Sequence, residues 1–364
     1  MCALGVKSIN IGLIGCGWIA EKAYLPILKK MNDIEVCAVF DINAQKLCAI
    51  QEKYHVPSVF DDINRFLSSP IDAVIVATPN CTHTYYSDMA LDAGKHVLCE
   101  KPVAVSKKAM ESTLAIAQTY NKIFLPAFVN RFRKDIIQFS EFVSLIGEVK
   151  VVEVNWLRKS GIPRPGTWIT NKALAGGGVL IDIGTHVLDI GLSFMSDKQT
   201  KSVKLEEGIT EQAEQKGAQW NTNNEGRRLR FDVETWAKGE VIFVNGSELK
   251  FNVNWSSNIE EDITVMKAIG IDGTVRINTL FGFSNNFARV NAEILYKRKY
   301  VENQRILYPM HNTFAMNAFE DMIHYFIDSI NGQASKFLKS SDGVYVVDVI
   351  EQLYKSVPME RVEV

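Results

Sequence analysis

The feature that most constrains this chain lies between residues 9 and 41. An apolar run over residues 9–14 leads straight into Gly15-Cys16-Gly17-Trp18-Ile19-Ala20, a G-x-G-x-x-A pattern, and a second apolar run ends at Asp41. Strand, glycine turn, helix and a second strand closed by an acid make up the opening of a dinucleotide-binding βαβ unit. Each residue type has a physical task there. Gly15 permits the tight turn, Gly17 lets the backbone approach a pyrophosphate, and Ala20 is small enough for the helix to pack on the strand. The helix start, at Trp18 and Ile19, supplies free amide N–H groups and the positive end of the helix dipole. Asp41 stands 24 positions after Gly17. Its carboxylate can accept hydrogen bonds from both adenosine ribose hydroxyls and would repel a 2′-phosphate. No arginine follows it, only Ile42 and Asn43, so NAD is expected in preference to NADP. The plainer role for Asp41 is that of a turn residue after a strand.

The same alternation continues to about residue 130. The pattern predicts strands at 35–40, 73–77, 96–99 and 123–127, and helices at 19–31, 44–54, 84–93 and 107–121. Pro26 interrupts the first helix. Continuously apolar strands alternating with helices imply a parallel sheet covered on both faces. From Lys150 the rhythm changes to strict polar–apolar alternation, with Val152, Val154 and Trp156 on one side and Glu153 and Asn155 on the other. Further strands are predicted at 203–210, 233–244, 248–255, 264–270 and 274–278, with a helix at 178–195. Asn245-Gly246 and Asp272-Gly273 are hairpin signals between such runs. Helical patterns return at 312–331 and 341–355, and the polar stretch 211–230 is expected to be a mobile loop. The expected fold class is α/β. A Rossmann doubly wound parallel sheet occupies 1–129, and an α+β domain with a large, mostly antiparallel sheet occupies 130–364. The last helices are expected to pack back on the first domain.

Charge excludes some functions. Lys and Arg number 40 against 42 Asp and Glu, a net charge of −2, so neither nucleic acid nor a membrane surface is the expected partner. No run approaches the ~18 apolar residues that span a bilayer. The six cysteines all fall within the first hundred residues without a CxxC pair. They are therefore expected to be reduced thiols in a cytoplasmic protein. Cys81, His83, His96 and Cys99 lack the paired spacing of a structural zinc site, so no metal is expected.

Two more motifs complete the set. Cys99-Glu100-Lys101-Pro102 ends the fourth main strand of the parallel region. Gly176-Gly177-Gly178-Val179-Leu180-Ile181-Asp182-Ile183-Gly184-Thr185-His186 opens the helix of the second half. With the glycine fingerprint, these resemble the glucose–fructose oxidoreductase/inositol dehydrogenase (Gfo/Idh/MocA) family, and the likeness spans nearly the whole chain. Thr78-Pro79-Asn80, with His83 three positions on, matches that family's loop beside the nicotinamide. The resemblance implies an NAD-dependent oxidoreductase acting on a sugar, sugar derivative or cyclitol, and a homodimer or homotetramer. It also implies a cis Lys101–Pro102 bond.

The expected cofactor residues are Gly15, Gly17, Trp18, Ile19, Asp41, Thr78, Pro79, Asn80, His83, Glu100 and Lys101. The expected catalytic residues are Lys101, Asp182 and His186. Lys101 lies at the carboxyl end of a parallel strand, where open α/β sheets bind ligands. Asp182 and His186 are four apart and share a helix face, with Leu180, Ile183, Val187 and Ile190 on the opposite, buried side. Three preceding glycines allow a close approach by backbone or ligand. His186, with an unperturbed pKa of ~6.5, would take a substrate hydroxyl proton while Lys101 stabilises the alkoxide. Asp182 would orient the substrate or the imidazole. Asn130, Arg131, Trp168 and Lys172 complete the expected substrate contacts. Two other functions stay open on sequence alone: a glycosidase that recycles tightly held NAD, and a cofactor-binding regulator without catalysis.

Overall fold

The computed structural model describes residues 8–32, 34–210, 230–283, 286, 291–309, 314–335 and 337–357. The chain divides into two compact units, Met1–Val129 with Met316–Val344, and Asn130–Ala315 with Tyr345–Val364.

The first unit is built on six parallel strands: β1 (Ile9–Ile14), β2 (Ile34–Phe40), β3 (Ser58–Phe60), β4 (Ala73–Val76), β5 (His96–Cys99) and β6 (Phe124–Pro126). Their order is β3-β2-β1-β4-β5-β6, with the topological switch between β1 and β4. Apolar strands with helices on both faces bury completely: Ile11, Leu13, Ile14, Val74, Ile75 and Val97 have no exposed surface. Each such side chain contributes ~1.5–3 kcal/mol. Helix starts follow local chemistry. Asn43 accepts from the amides of Gln45 and Lys46 to open Ala44–Tyr54, and Ser106 accepts from that of Ala109 to open Lys107–Thr119. The helix after the glycine turn is irregular. A π segment, Ala20–Tyr24, precedes Leu25–Leu28. This wider turn accommodates Pro26, whose ring would otherwise meet the carbonyl of Lys22. The later segment of the unit closes over the sheet. Phe319, on the helix Phe314–Ile330, meets Tyr24 edge-on at 5.4 Å, and Ser340 Oγ donates to the Phe124 carbonyl.

The second unit carries eight strands: β7 (Val149–Leu157), β8 (Thr200–Gly208), β9 (Trp236–Phe243), β10 (Glu248–Asn254), β11 (Ile263–Gly270), β12 (Gly273–Thr279), β13 (Asn291–Arg298) and β14 (Val301–Pro309). They lie in the order β14-β13-β12-β11-β7-β10-β9-β8. Only the β7–β10 pair is parallel among the registered pairs of this sheet. The alternation read from sequence is realised. Val152, Val154 and Trp156 are buried, while Glu153 and Asn155 face outward beside Lys238, Glu240, Lys250 and Asn252. The helix Thr185–Ser193 covers the inner face, where Gly191 lies so close to Leu249 that an added Cβ would overlap the leucine side chain.

Several elements depart from the sequence expectation. β3, the helices Ile63–Leu67 and Lys134–Val143, β13 and β14 are not among the predicted elements. The predicted loop at 211–230 lies outside the described residues except for Arg230. By length and composition the stretch Lys172–Ser193 is apolar enough to cross a membrane, contrary to the reading above, but 78% of its window is buried inside the protein. Its last part, Thr185–Ser193, is a core helix of the unit. For the same reason the helix shows no exposed polar side: Ile183 to Leu192 are all buried.

Candidate active site

In the first unit the sequence motifs converge on the carboxyl ends of β1, β4 and β5. Gly15 takes φ 98°, and its amide donates to the Phe40 carbonyl at 2.8 Å. A Cβ there would lie 2.5 Å from the Ala77 carbonyl oxygen, so only glycine lets the two loops flanking the switch point meet. Around Gly17 the space is open: a Cβ at this position would find its nearest neighbour 4.0 Å away. The helical segment beyond it has no side-chain cap on its first amides. A glycine cradle with uncapped amides fits a dinucleotide pyrophosphate.

Asp41 directly follows β2 and is buried. One carboxylate oxygen accepts from the Cys16 amide and the other from the Asn43 amide, both at 2.8 Å. Each oxygen keeps a second lone pair for a ribose hydroxyl. Cys16 itself is inert, because burial, and next the charge of Asp41, push its thiol up to about 12. Trp18 is 64% exposed beside this loop.

His83, expected beside the cofactor, has both ring nitrogens on backbone carbonyls. Its ring is buried, with Nδ1 2.7 Å from the Pro102 carbonyl and Nε2 2.8 Å from the Thr78 carbonyl. The imidazole therefore ties the loop after β4 to the loop after β5, on either side of Lys101. Burial holds its pKa below the ordinary value, against the pull of the two carbonyls and with help from the charge of Lys101. Thr82 Oγ1 braces the same loop by donating to the Pro79 carbonyl at 2.7 Å. The Glu100 carboxylate accepts from Tyr24 Oη at 2.6 Å and from the Lys101 amide at 3.1 Å. Burial raises its pKa, with Tyr24 and Lys101 opposing. Both residues thus shape the backbone that presents Lys101. The Lys101–Pro102 bond is cis.

In the second unit a π segment, Leu180–Gly184, leads into Thr185–Ser193. Asp182 lies in the π turn, half-buried, and Trp255 Nε1 donates to its Oδ2 at 2.9 Å. His186 lies in the next turn with its ring 5.9 Å from that of Trp156. One turn further, Asp189 is engaged by Arg131. Nε is 3.0 Å from both carboxylate oxygens and a terminal nitrogen 2.5 Å from Oδ1. Arg131, expected to reach substrate, is thus committed to a buried ion pair beneath the helix. Asn130 is also buried. Trp168 and Lys172 are exposed, and the Lys172 ammonium lies 5.7 Å from the centre of the Tyr354 ring. Sequence reasoning missed Trp255, Glu234 and Tyr354, because nothing local marks a tryptophan, a glutamate or a tyrosine as a neighbour of the glycine run. Among the described residues, no group of three or more His, Cys, Asp or Glu is arranged to hold a metal ion.

A parallel sheet ordered 3-2-1-4-5-6 with a glycine cradle at its switch point, followed by a large, mostly antiparallel sheet unit, defines a dinucleotide-binding protein. The chain belongs to the Gfo/Idh/MocA family. Residues 9–128 match the oxidoreductase family's NAD-binding Rossmann fold, and residues 144–364 match its C-terminal alpha/beta domain. Among characterised relatives, the chain is 30% identical to D-glucoside 3-dehydrogenase of Escherichia coli (strain K12) over 363 residues, 97% of each chain. The fold is shared with solved structures. An aldose-aldose oxidoreductase from Caulobacter crescentus, complexed with glycerol, superposes with TM-score 0.77 at 22% identity, covering 96% of this chain and 97% of that one. KijD10, a 3-ketoreductase from Actinomadura kijaniata in complex with NADP and TDP-benzene, gives 0.75 at 18% identity, covering 96% and 98%.

Proposed function

We propose that this protein oxidises a secondary hydroxyl of a sugar or glycoside, the 3-hydroxyl of a glucoside being the first choice, with NAD as hydride acceptor. The observation that carries the reading is the full-length likeness to a D-glucoside 3-dehydrogenase. The presence of Lys101, Asp182 and His186 within their motifs supports it. NAD, when bound, would supply the acceptor for the carbon-bound hydrogen, taken as hydride. His186 takes the hydroxyl proton, so that a ketone forms, and Lys101 stabilises the developing alkoxide. Asp182, held by the Trp255 indole, orients the reacting hydroxyl or the imidazole. Ketone reduction uses the same groups in reverse. We assign Asn130, Trp168 and Lys172 to substrate, with Arg131 acting through Asp189. We assign the outward face of the eight-stranded sheet to contact between subunits of a homodimer or homotetramer in the cytoplasm.

The test is NADH formation from NAD⁺ across a panel of glucosides, free sugars, sugar phosphates, nucleotide sugars and inositols, with Lys101→Ala and His186→Ala in parallel. Turnover of a glucoside to its 3-keto product, lost in both variants, is expected. Undiminished turnover in either folded variant sinks the acid–base assignment. For the cofactor, Asp41→Ser should cost about 1.5–3 kcal/mol of NAD affinity, roughly tenfold or more, through the lost charge-assisted ribose contacts. An unchanged NAD/NADP preference would remove Asp41 from that role.

A further inference from the structure

The three-glycine run ahead of the Asp182/His186 helix is built to receive the Tyr354 side chain and the backbone of Glu234. Gly176, at φ 87°, ends the short helix Lys172–Ala175. A Cβ on Gly177 would overlap Tyr354 Oη, and one on Gly178 would overlap the Glu234 carbonyl oxygen. The glycines therefore exist for the close approach of Glu234 and Tyr354. Three successive amides then end on one residue. The Gly178 amide reaches both Glu234 carboxylate oxygens at 2.9 Å, the Val179 amide donates to the Glu234 carbonyl at 3.0 Å, and the Leu180 amide donates to Oε1 at 3.1 Å. Tyr354, from the helix Ser340–Ser356, donates its hydroxyl to the same Oε1 at 2.8 Å. These are the first amides of the helical segment, which have no partner within a helix. Glu234 comes from the loop before β9 and is buried.

We propose that Glu234 and Tyr354 are positioning residues that clamp the start of the helix carrying Asp182 and His186, and so hold those two side chains in their productive places. The proposal rests on the reading that Asp182 and His186 perform chemistry. Oε1 receives three donors, whereas Oε2 shares only the Gly178 amide. The clamp therefore needs one good acceptor more than it needs a full negative charge. That distinguishes the variants. Glu234→Gln keeps an acceptor at Oε1 and should retain kcat within about fivefold. Glu234→Ala removes it and should lower kcat about a hundredfold, the size expected when reacting groups shift by ~1 Å. Tyr354→Phe keeps the ring, with the Lys172 ammonium over its face, and should lower kcat about fivefold, the equivalent of one hydrogen bond. In all three the Kd for NAD should stay at the wild-type value, because the cofactor fingerprint lies in the other unit.

The experiment combines kcat and Kd(NAD) with amide hydrogen exchange of the segment 176–186 by mass spectrometry. Tyr354→Phe is the variant least expected to disturb folding. Faster exchange confined to that segment, with kcat reduced and Kd(NAD) unchanged, is the expected result. Wild-type exchange in Tyr354→Phe overturns the clamp whatever the substrate. Loosened exchange with wild-type kcat shows a structural contact only and overturns the positioning role. His186→Ala is the control. If it stays active, the assignment of chemistry to this helix fails; if it is dead while Glu234→Ala is fully active, the clamp alone fails.

Discussion

Replacing Arg131 by Met tests whether that residue serves the substrate or the fold. Its guanidinium and the Asp189 carboxylate are 7% and 2% exposed at the side chain, and the bidentate contact lies at 2.5–3.0 Å. Removing one partner of a buried pair strands a charge in a low-dielectric interior, at a cost of about 3–5 kcal/mol. Arg131→Met should therefore lower the unfolding free energy by that amount, shifting the folded-to-unfolded ratio by roughly two to four powers of ten. Replacing both partners should recover most of the loss, since an apolar pair of similar volume is close to neutral. Arg131→Met/Asp189→Leu is thus expected within about 2 kcal/mol of wild type. The assay is urea unfolding followed by circular dichroism, with the coupling energy taken from the double-mutant cycle. Loss of less than about 1 kcal/mol in the single variant would refute the argument. So would a double variant no more stable than the single. A single variant of normal stability but raised KM would return Arg131 to direct substrate contact.

Further outcomes follow from other contacts. Gly15→Ala places a Cβ 2.5 Å from a backbone oxygen at a positive φ, so NAD affinity should fall at least tenfold by titration of tryptophan fluorescence; an unchanged Kd would contradict the close approach. His83→Ala removes the bridge between the Thr78 and Pro102 carbonyls and should cost about 1–3 kcal/mol of stability in thermal unfolding together with a fall in kcat; neither change would mean the bridge is idle. Burial, and next the charge of Glu207, raise Glu234 from its ordinary 4.5 to about 7, with the donors from Tyr354 and Leu180 opposing. Between those values the folded protein holds a proton that the unfolded chain has shed. Stability should therefore fall as pH rises through that window, by on the order of 3 kcal/mol. The slope should vanish in Glu234→Gln, and a slope that persists there would assign it to another group.

Most of the first unit is legible in short stretches of the chain. Strands β1, β4 and β5, the helix Ala44–Tyr54, and the glycine turn with its acid are local patterns. Their physics acts over a few residues: apolar runs that must be buried, an Asn that caps a helix, a glycine at positive φ. The alternation of β7 announces an antiparallel sheet for the same reason. Where the local signal weakens, elements are missed. Among the described residues β14 pairs with β13 at the sheet edge, and 301–305 are exposed, so no apolar stripe marks it. The helix Lys134–Val143 does carry a stripe, Ile136, Phe139 and Val143 all being buried, and that spacing would have revealed it.

How the candidate catalytic side chains are held depends on contacts between residues far apart in the chain. The sequence shows that three glycines must admit something, but not that Glu234, 56 positions on, and Tyr354, 120 beyond that, fill the space. Trp255 on Asp182 and Arg131 on Asp189 are separated from their partners by 73 and 58 positions. Such contacts depend on where strands and helices are brought together by the fold, and a hydrogen bond leaves no periodic trace in the chain. His83 illustrates the difference. Its motif makes it an expected neighbour of the cofactor, but the burial of its ring between two backbone carbonyls, which ties the loops around Lys101, is set by the fold.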